Sequence, residues 1–276
     1  MTRPPPSFLE RLRAARAAHT LPPGVSALAR EFVDAVLALL FPHFAPARRA
    51  DPVQVCDDHA RAHERLVALL SAHASAAPRA EALADAFFER VPALYEAMLE
   101  DAAATYQADP AARTLDEVIA TYPGFLALAC YRMAHQLHGQ GVDLLPRVIT
   151  ELAHRDTGID IHPGARIGRA LSIDHGTGIV IGETTMIGDR VRLYQGVTLG
   201  ALSVSKDAAH SKRHPTLEED VIVYANATIL GGETVVGAGS VIGGNVWLTH
   251  SVPPGSVVTE AASTETRIVA GRTADD

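Results

Sequence analysis

The segment DIHPGARIGRALSIDHGTGIVIGE, residues 160–183, places isoleucine at 161, 167 and 173, a spacing of six. After a two-residue slip the spacing resumes at Ile181, Ile187, Leu193 and Leu199. It returns at Leu217, Val223, Ile229, Val235, Val241 and Trp247. A period of six is neither the 3.6 of a helix nor the 2 of a strand. It is the period of a hexapeptide β-helix, in which each unit forms one side of a triangular coil. The large aliphatic residue points into the prism, and a small residue makes the corner. Glycine follows the aliphatic residue at 168, 182, 188 and 200. This grammar predicts a parallel β-helix over residues 158–276.

Between Leu199 and Leu217 the period fails. The stretch GALSVSKDAAHSKRHPT, residues 200–216, is polar and carries charges and a proline. It is expected to leave the coil as an extruded loop. Loops on a rigid scaffold commonly carry function, and KRHP points that way here.

Working back towards the N-terminus, residues 1–157 read as helices. Leu83, Phe87, Val91, Leu94, Tyr95 and Met98 form a stripe with gaps of three and four. Pro78 suits a helix start, and Pro92 is expected to kink or split the helix. GFLALACYRMAHQLHGQG (residues 124–141) and DLLPRVITELAHRDTG (143–158) are two further expected helices, each ending at glycine. The fold expected is α+β in two parts: an all-α domain over residues 1–157 for packing and oligomerisation, then the β-helix.

Bulk properties set limits. The chain has 276 residues, 47% of them hydrophobic, and a formal net charge of −8. That balance argues against a general nucleic-acid binder, which needs basic surface. Two cysteines, Cys56 and Cys130, form neither a metal motif nor a disulfide framework. The N-terminus lacks a signal-peptide core, and AVLALLF (35–41) is too short to span a bilayer. A soluble, cytoplasmic protein is expected.

The polar exceptions in the first coils are Asp160, His162, Asp174 and His175. Each has a bland reading as a turn cap or a packed side chain. His175 stands out because histidine is the natural base near neutral pH, and a carboxylate behind it would fix its tautomer. On an extended strand Asp174 would face away from its neighbour. Asp160, one coil earlier, is therefore the expected partner.

These residues carry a resemblance. The stretch 160–184, GFLALACYRMAH in the helical half, RHP at 213–215 and ANATILGGETVVGAGSVIGGNV at 225–246 resemble the serine O-acetyltransferases of bacterial cysteine biosynthesis. The similarity covers roughly residues 105–271. It implies that the β-helix is left-handed, and that acetyl-CoA donates an acetyl group to the hydroxyl of L-serine with no metal. It implies His175 as base and Asp160 as its carboxylate partner. Asp109 and Asp174 would hold the ammonium group, Arg213 would bind the carboxylate, and His214 would line the pocket, with Glu183 nearby. Backbone at Gly200, Ala201 and Ala225 would border the coenzyme arm. The resemblance further implies a homotrimer or a dimer of trimers.

Two departures stand out. The extruded loop is longer than in familiar members, with Leu202, Val204 and Lys206 where those are glycine-rich. The chain ends at Asp276 without the terminal isoleucine that docks in a sulfhydrylase, so that stable complex is not expected. Three other readings compete. One is acetyl transfer to another acceptor such as homoserine. Another is a carbonic-anhydrase-type zinc site built from His162, His175 and His214. The third is a non-catalytic scaffold.

Overall fold

A computed structural model describes residues 4–18, 23–46, 51–202 and 211–259. Eight α-helices come first among them: α1 (Pro6–Ala17), α2 (Val25–Leu40), α3 (Pro52–Ser71), α4 (Ala80–Phe88), α5 (Val91–Ala108), α6 (Leu115–Thr121), α7 (Pro123–Gly139) and α8 (Leu145–Thr157). The Leu83–Met98 stripe is split where expected. α4 ends at Phe88 and α5 starts at Val91, with Pro92 in its first turn, where the missing N–H costs nothing. α8 stops at Gly158, which takes φ 73 as its C-cap.

Fourteen short strands follow, from β1 (Asp160–Ile161) to β14 (Val257–Val258). They form three parallel sheets with the orders β1-β4-β7-β10-β13, β11-β8-β5-β2 and β14-β12-β9-β6-β3. Up to β13 every third strand returns to the same sheet, and β14 closes on β12 after an isolated bridge between Val236 and Val252; this is the wall order of a triangular parallel β-solenoid. We call these walls A, B and C in that order. Ile161, Ile173, Ile181, Ile187, Leu193, Leu199, Leu217, Val223 and Ile229 are buried inside the prism.

The last three expected inward residues are corrected by the structure. Val236, Ile242 and Leu248 fill the prism, whereas Val235 and Val241 face outward and Trp247 is 69% exposed. The cause is one extra residue at the corner between β10 (Thr228–Leu230) and β11 (Val235–Val236). Gly231 takes φ 104 there, and the inward positions shift by one.

α7 joins the two parts. Its Phe125, Ala129, Cys130 and Met133 pack in the helical core, while Ala127, Leu128 and Tyr131 pack with the first β-helix coils. The Tyr131 hydroxyl donates to Ala165 O at 2.7 Å and accepts from Ile167 N at 3.2 Å. A buried ion pair reinforces the joint. Arg132 donates to both oxygens of Asp101, from Nε at 2.5 Å and Nη2 at 2.7 Å. The pair is tied to the coil by Leu171 N to Asp101 Oδ1 at 3.0 Å and Arg132 Nη2 to Gly168 O at 2.9 Å. These bonds fix the helices against the first coil, from Ala165 to Leu171, directly before the wall C strand that carries one half of the candidate site.

Candidate functional site

The expected site residues fall into two groups on two edges of the prism. The first lies on the edge between walls C and A. β3 (Ser172–Asp174) belongs to wall C and β4 (Val180–Ile181) to wall A. Asp174 pairs in register with Tyr194 of β6 (Arg192–Tyr194). Past the corner, Gly196 N bonds to Thr177 O. Two residues intervene on β3's chain with no counterpart below, His175 and Gly176. The two-residue slip in the repeat is therefore a bulge that carries the histidine.

Both bulge residues adopt left-handed backbone, with φ 56 at His175 and φ 86 at Gly176. A Cβ on Gly176 would come within 2.5 Å of Ile159 Cδ1, so glycine is required there. The bulge leaves the His175 side chain 72% exposed, with Nε2 3.8 Å from Asp174 Oδ1. This corrects the extended-strand expectation. His175 is not extended, so its ring swings back over Asp174. Asp160 is engaged elsewhere: its Oδ1 lies 3.3 Å from Arg147 Nη1 of α8.

α5 delivers Asp109 to the same edge as its C-cap. Asp109 accepts from Ala111 N at 2.8 Å and from the Tyr122 hydroxyl at 2.5 Å. The tyrosine bond, with help from the Ala111 amide and the nearby His175 ring, holds the Asp109 carboxyl below its ordinary range. The same bond pushes Tyr122 up to about 12. Tyr122 was not singled out in the sequence, since a tyrosine preceding a proline reads as an ordinary helix entry. Asp109, Asp174, His175 and Tyr122 thus share one patch, negative at neutral pH.

The second group lies on the edge between walls A and B. It comprises Glu183, Thr184, Arg213 and His214, with His162 one coil earlier. Thr184 organises it. Its hydroxyl accepts from Arg213 N at 2.9 Å and His214 N at 3.1 Å, and its own N–H donates to His214 Nδ1 at 3.1 Å. His214 is buried against Gly182, where any Cβ would meet the ring at 2.0 Å. Burial, reinforced by Arg213 and Lys212, pushes this imidazole down to about 4. It is neutral at pH 7, and with Nδ1 accepting, the proton sits on Nε2. Arg213 ion-pairs with Glu183 through Nη2 and Oε2. Burial is the largest single influence and raises the Glu183 carboxyl, but the Arg213 bond together with the charges of His162, Arg213 and His214 holds the group low. His162 is pushed down by burial and accepts Gly164 N at 3.0 Å.

Gly200 ends β7 (Thr198–Gly200) on wall A, Ala201 follows it, and Ala225 sits at the C–A corner two coils past the bulge. Residues 203–210 of the extruded loop, including Val204 and Lys206, and the C-terminal stretch 260–276 lie outside the described residues. His162, His175 and His214 do not converge within a chain. Among the described residues the one group with three possible ligand atoms within 4.8 Å of one another is Glu151, His154 and Asp160. The Arg147 guanidinium already serves it, 2.5 Å from Glu151 Oε1 and 3.3 Å from Asp160 Oδ1.

Known proteins share this architecture. The Helicobacter pylori (strain ATCC 700392 / 26695) serine acetyltransferase is 51% identical over 150 residues, covering 54% of this chain and 85% of that protein. The chain belongs to the serine acetyltransferase family. The protein named "Serine acetyltransferase, plasmid" from Synechococcus elongatus is 50% identical over 203 residues, or 72% of this chain; the match spans only 61% of that longer serine acetyltransferase. Among solved structures, serine acetyltransferase isoform 3 of Entamoeba histolytica, in complex with cysteine, aligns with TM-score 0.78. It shares 33% identity over 87% of this chain and 84% of its own. A serine acetyltransferase in complex with CoA aligns with TM-score 0.57 and 27% identity, covering 88% of this chain and 99% of its own. No family model matches the chain. Among the described residues no helix is long and apolar enough to cross a membrane.

Proposed function

We propose that the protein transfers the acetyl group of acetyl-CoA to the hydroxyl of L-serine, giving O-acetyl-L-serine and CoA in the cytoplasm. The observation that carries this reading is the His175 bulge. It presents an exposed imidazole beside Asp174 and within the field of Asp109. A serine hydroxyl is a poor nucleophile until a base takes its proton, and His175 is that base. The negative patch of Asp109 and Asp174 suits the ammonium group of an amino acid. Arg213 suits its carboxylate, because a guanidinium binds a carboxylate through two parallel donors. Neutral His214 adds a donor without adding charge.

The carboxylate that faces the ring in one chain is Asp174. Asp160, implied as partner by the family resemblance, acts in that role once Arg147 releases it. The coenzyme arm is assigned to the backbone at Gly200, Ala201 and Ala225.

The two groups lie on the two edges that bound wall A. We assign this wall to the contact between copies in a homotrimer, so that Arg213 and His214 of one copy complete the acceptor site around His175 of the next. Support comes from the outer face of wall A. Asp160, Val180, Thr198, Thr228 and Trp247 stand in register on successive strands. An exposed indole at the end of such a ladder is a natural anchor for a second copy.

The deciding experiment measures thiol release from acetyl-CoA against L-serine, D-serine, L-homoserine, L-threonine and a blank, with and without chelator. Release with L-serine alone, unchanged by chelator, is expected. Release with another acceptor would move the substrate, and loss of activity in chelator would return the histidines to a metal role.

A further inference from the structure

Between α5 and the outer face of wall C the packing leaves a gap. Ile173 points into the prism, so its neighbours Ser172 and Asp174 stand on the outer face of β3. On the next strand Arg192 pairs in register with Ser172, and Tyr194 with Asp174. α5 packs against β3 and turns Glu100, Ala103, Ala104 and Gln107 towards it, one helix face at spacings of three and four. The alanine side chains in the middle of that face are too short to fill the space. A cavity of about 420 Å³ remains, floored by Ser172 and Arg192. That is the size of a small-metabolite site, and neither substrate of acetyl transfer is assigned to it.

Two of its lining groups are unsatisfied. Ser172 is 3% exposed, and its Oγ is buried with no hydrogen-bond partner. Orphaned hydroxyls of this kind are rare in native folds. Arg192, half-buried beside it, forms no ion pair and no hydrogen bond among the described residues. The other charges lining the cavity are already matched. Arg190 donates to both oxygens of Asp220, at 2.8 and 2.7 Å. Glu100 accepts from Arg169 Nε at 2.7 Å. One guanidinium and one hydroxyl are therefore left without partners, on adjacent strands about 4.8 Å apart.

Those two groups together recognise an oxyanion. A guanidinium gives two parallel N–H donors to a carboxylate or phosphate, and the serine hydroxyl adds a third donor. Ala103, Ala104 and Ala170 present an apolar wall to the rest of a small molecule. We propose that the groove between α5 and wall C binds a small organic anion, whose carboxylate or phosphate group is held by Arg192 and Ser172. Binding here does not depend on the acetyl-transfer reading.

The test is calorimetric titration of the full chain with acetate, succinate and inorganic phosphate, each in anion-poor buffer with L-serine in excess. Arg192→Gln removes the charge, and Ser172→Ala removes the hydroxyl. Ala104→Leu keeps both groups and fills the cavity. A thermal melt checks the fold of each variant; Ser172→Ala loses only an unpartnered group and is expected to melt no lower than wild type. At least one of the three anions is expected to bind wild type. Its Kd should rise about 10-fold or more in Arg192→Gln, the size of a lost charge-assisted bond, and about threefold or more in Ser172→Ala. Ala104→Leu should abolish binding. Binding of acetate or succinate without phosphate would mark a carboxylate ligand, and the reverse a phosphate ligand. No binding to wild type overturns the proposal, and so does an unchanged Kd in any of the three folded variants. Binding lost in Arg213→Ala but retained in Arg192→Gln also overturns it, because the anion would then sit in the acceptor pocket.

Discussion

The Nε2 atom of His175 lies 3.8 Å from Oδ1 of Asp174, its own neighbour in the chain. Extended neighbours point apart, and only the left-handed φ of 56 at His175 allows the approach. His175→Ala should therefore fold normally, because the ring is mostly in solvent, and should lose turnover by roughly 100- to 10,000-fold. Asp174→Asn and Asp160→Asn separate the two candidate carboxylates. The variant that lowers the base's apparent pKa in the pH profile of kcat/KM marks the partner of the ring; Asp174→Asn is expected to do so from the geometry of a single chain.

Arg213 is held by Glu183 and by the Thr184 hydroxyl on its backbone N–H. Lysine at this position keeps the charge but loses the two-pronged geometry. Arg213→Lys is expected to raise the KM for L-serine about 10-fold or more, the size of a lost charge-assisted bond, with the KM for acetyl-CoA unchanged. Initial-rate kinetics in both substrates would show it. A rise confined to acetyl-CoA would contradict the carboxylate role.

Asp101 is 1% exposed and carries Arg132, Leu171 N and, through Arg132, Gly168 O. Asp101→Ala strands a buried guanidinium and should cost about 3–5 kcal/mol. Chemical denaturation would read this as a lower midpoint. A loss below about 1 kcal/mol would mean that the joint between helices and coil does not depend on the pair.

His214 gives a pH dependence. Its folded pKa is lowered from 6.5 to about 4, chiefly by burial. Above pH 6.5 the ring is neutral in both folded and unfolded chains, so its contribution is fully present. Between pH 6.5 and 4 the unfolded chain takes up a proton that the folded one refuses, and stability falls. His214→Gln should flatten this part of the curve of Tm against pH. An unchanged curve would place the acid sensitivity elsewhere.

Trp247 offers the assembly test. If wall A is the contact between copies, Trp247→Asp should shift the mass in solution from trimer towards monomer. It should also lower acetyl transfer, although the residue lies several strands from His175. Light scattering on the variant would show whether the mass stays unchanged, which would release wall A from this role.

Much of this protein is written in its period. The six-residue spacing requires a coil, because only a three-walled solenoid returns every sixth residue to one interior. The slip after Ile173 even marks where the chain bulges. What the period could not show is where a corner gains a residue without a polar signal. The extra residue near Gly231 turned Val235, Val241 and Trp247 outward, since a glycine corner absorbs an insertion without breaking the rhythm on either side. The candidate site residues were likewise legible, because Asp, His and Arg are conspicuous in an apolar repeat. Their grouping was decided only in three dimensions. The left-handed turn at His175 brought its ring to Asp174, while Arg147 met Asp160, and Thr184 gathered Arg213 and His214. Side-chain identity travels with the chain, whereas contact depends on backbone angles and on register between coils, and these are settled only when the prism closes.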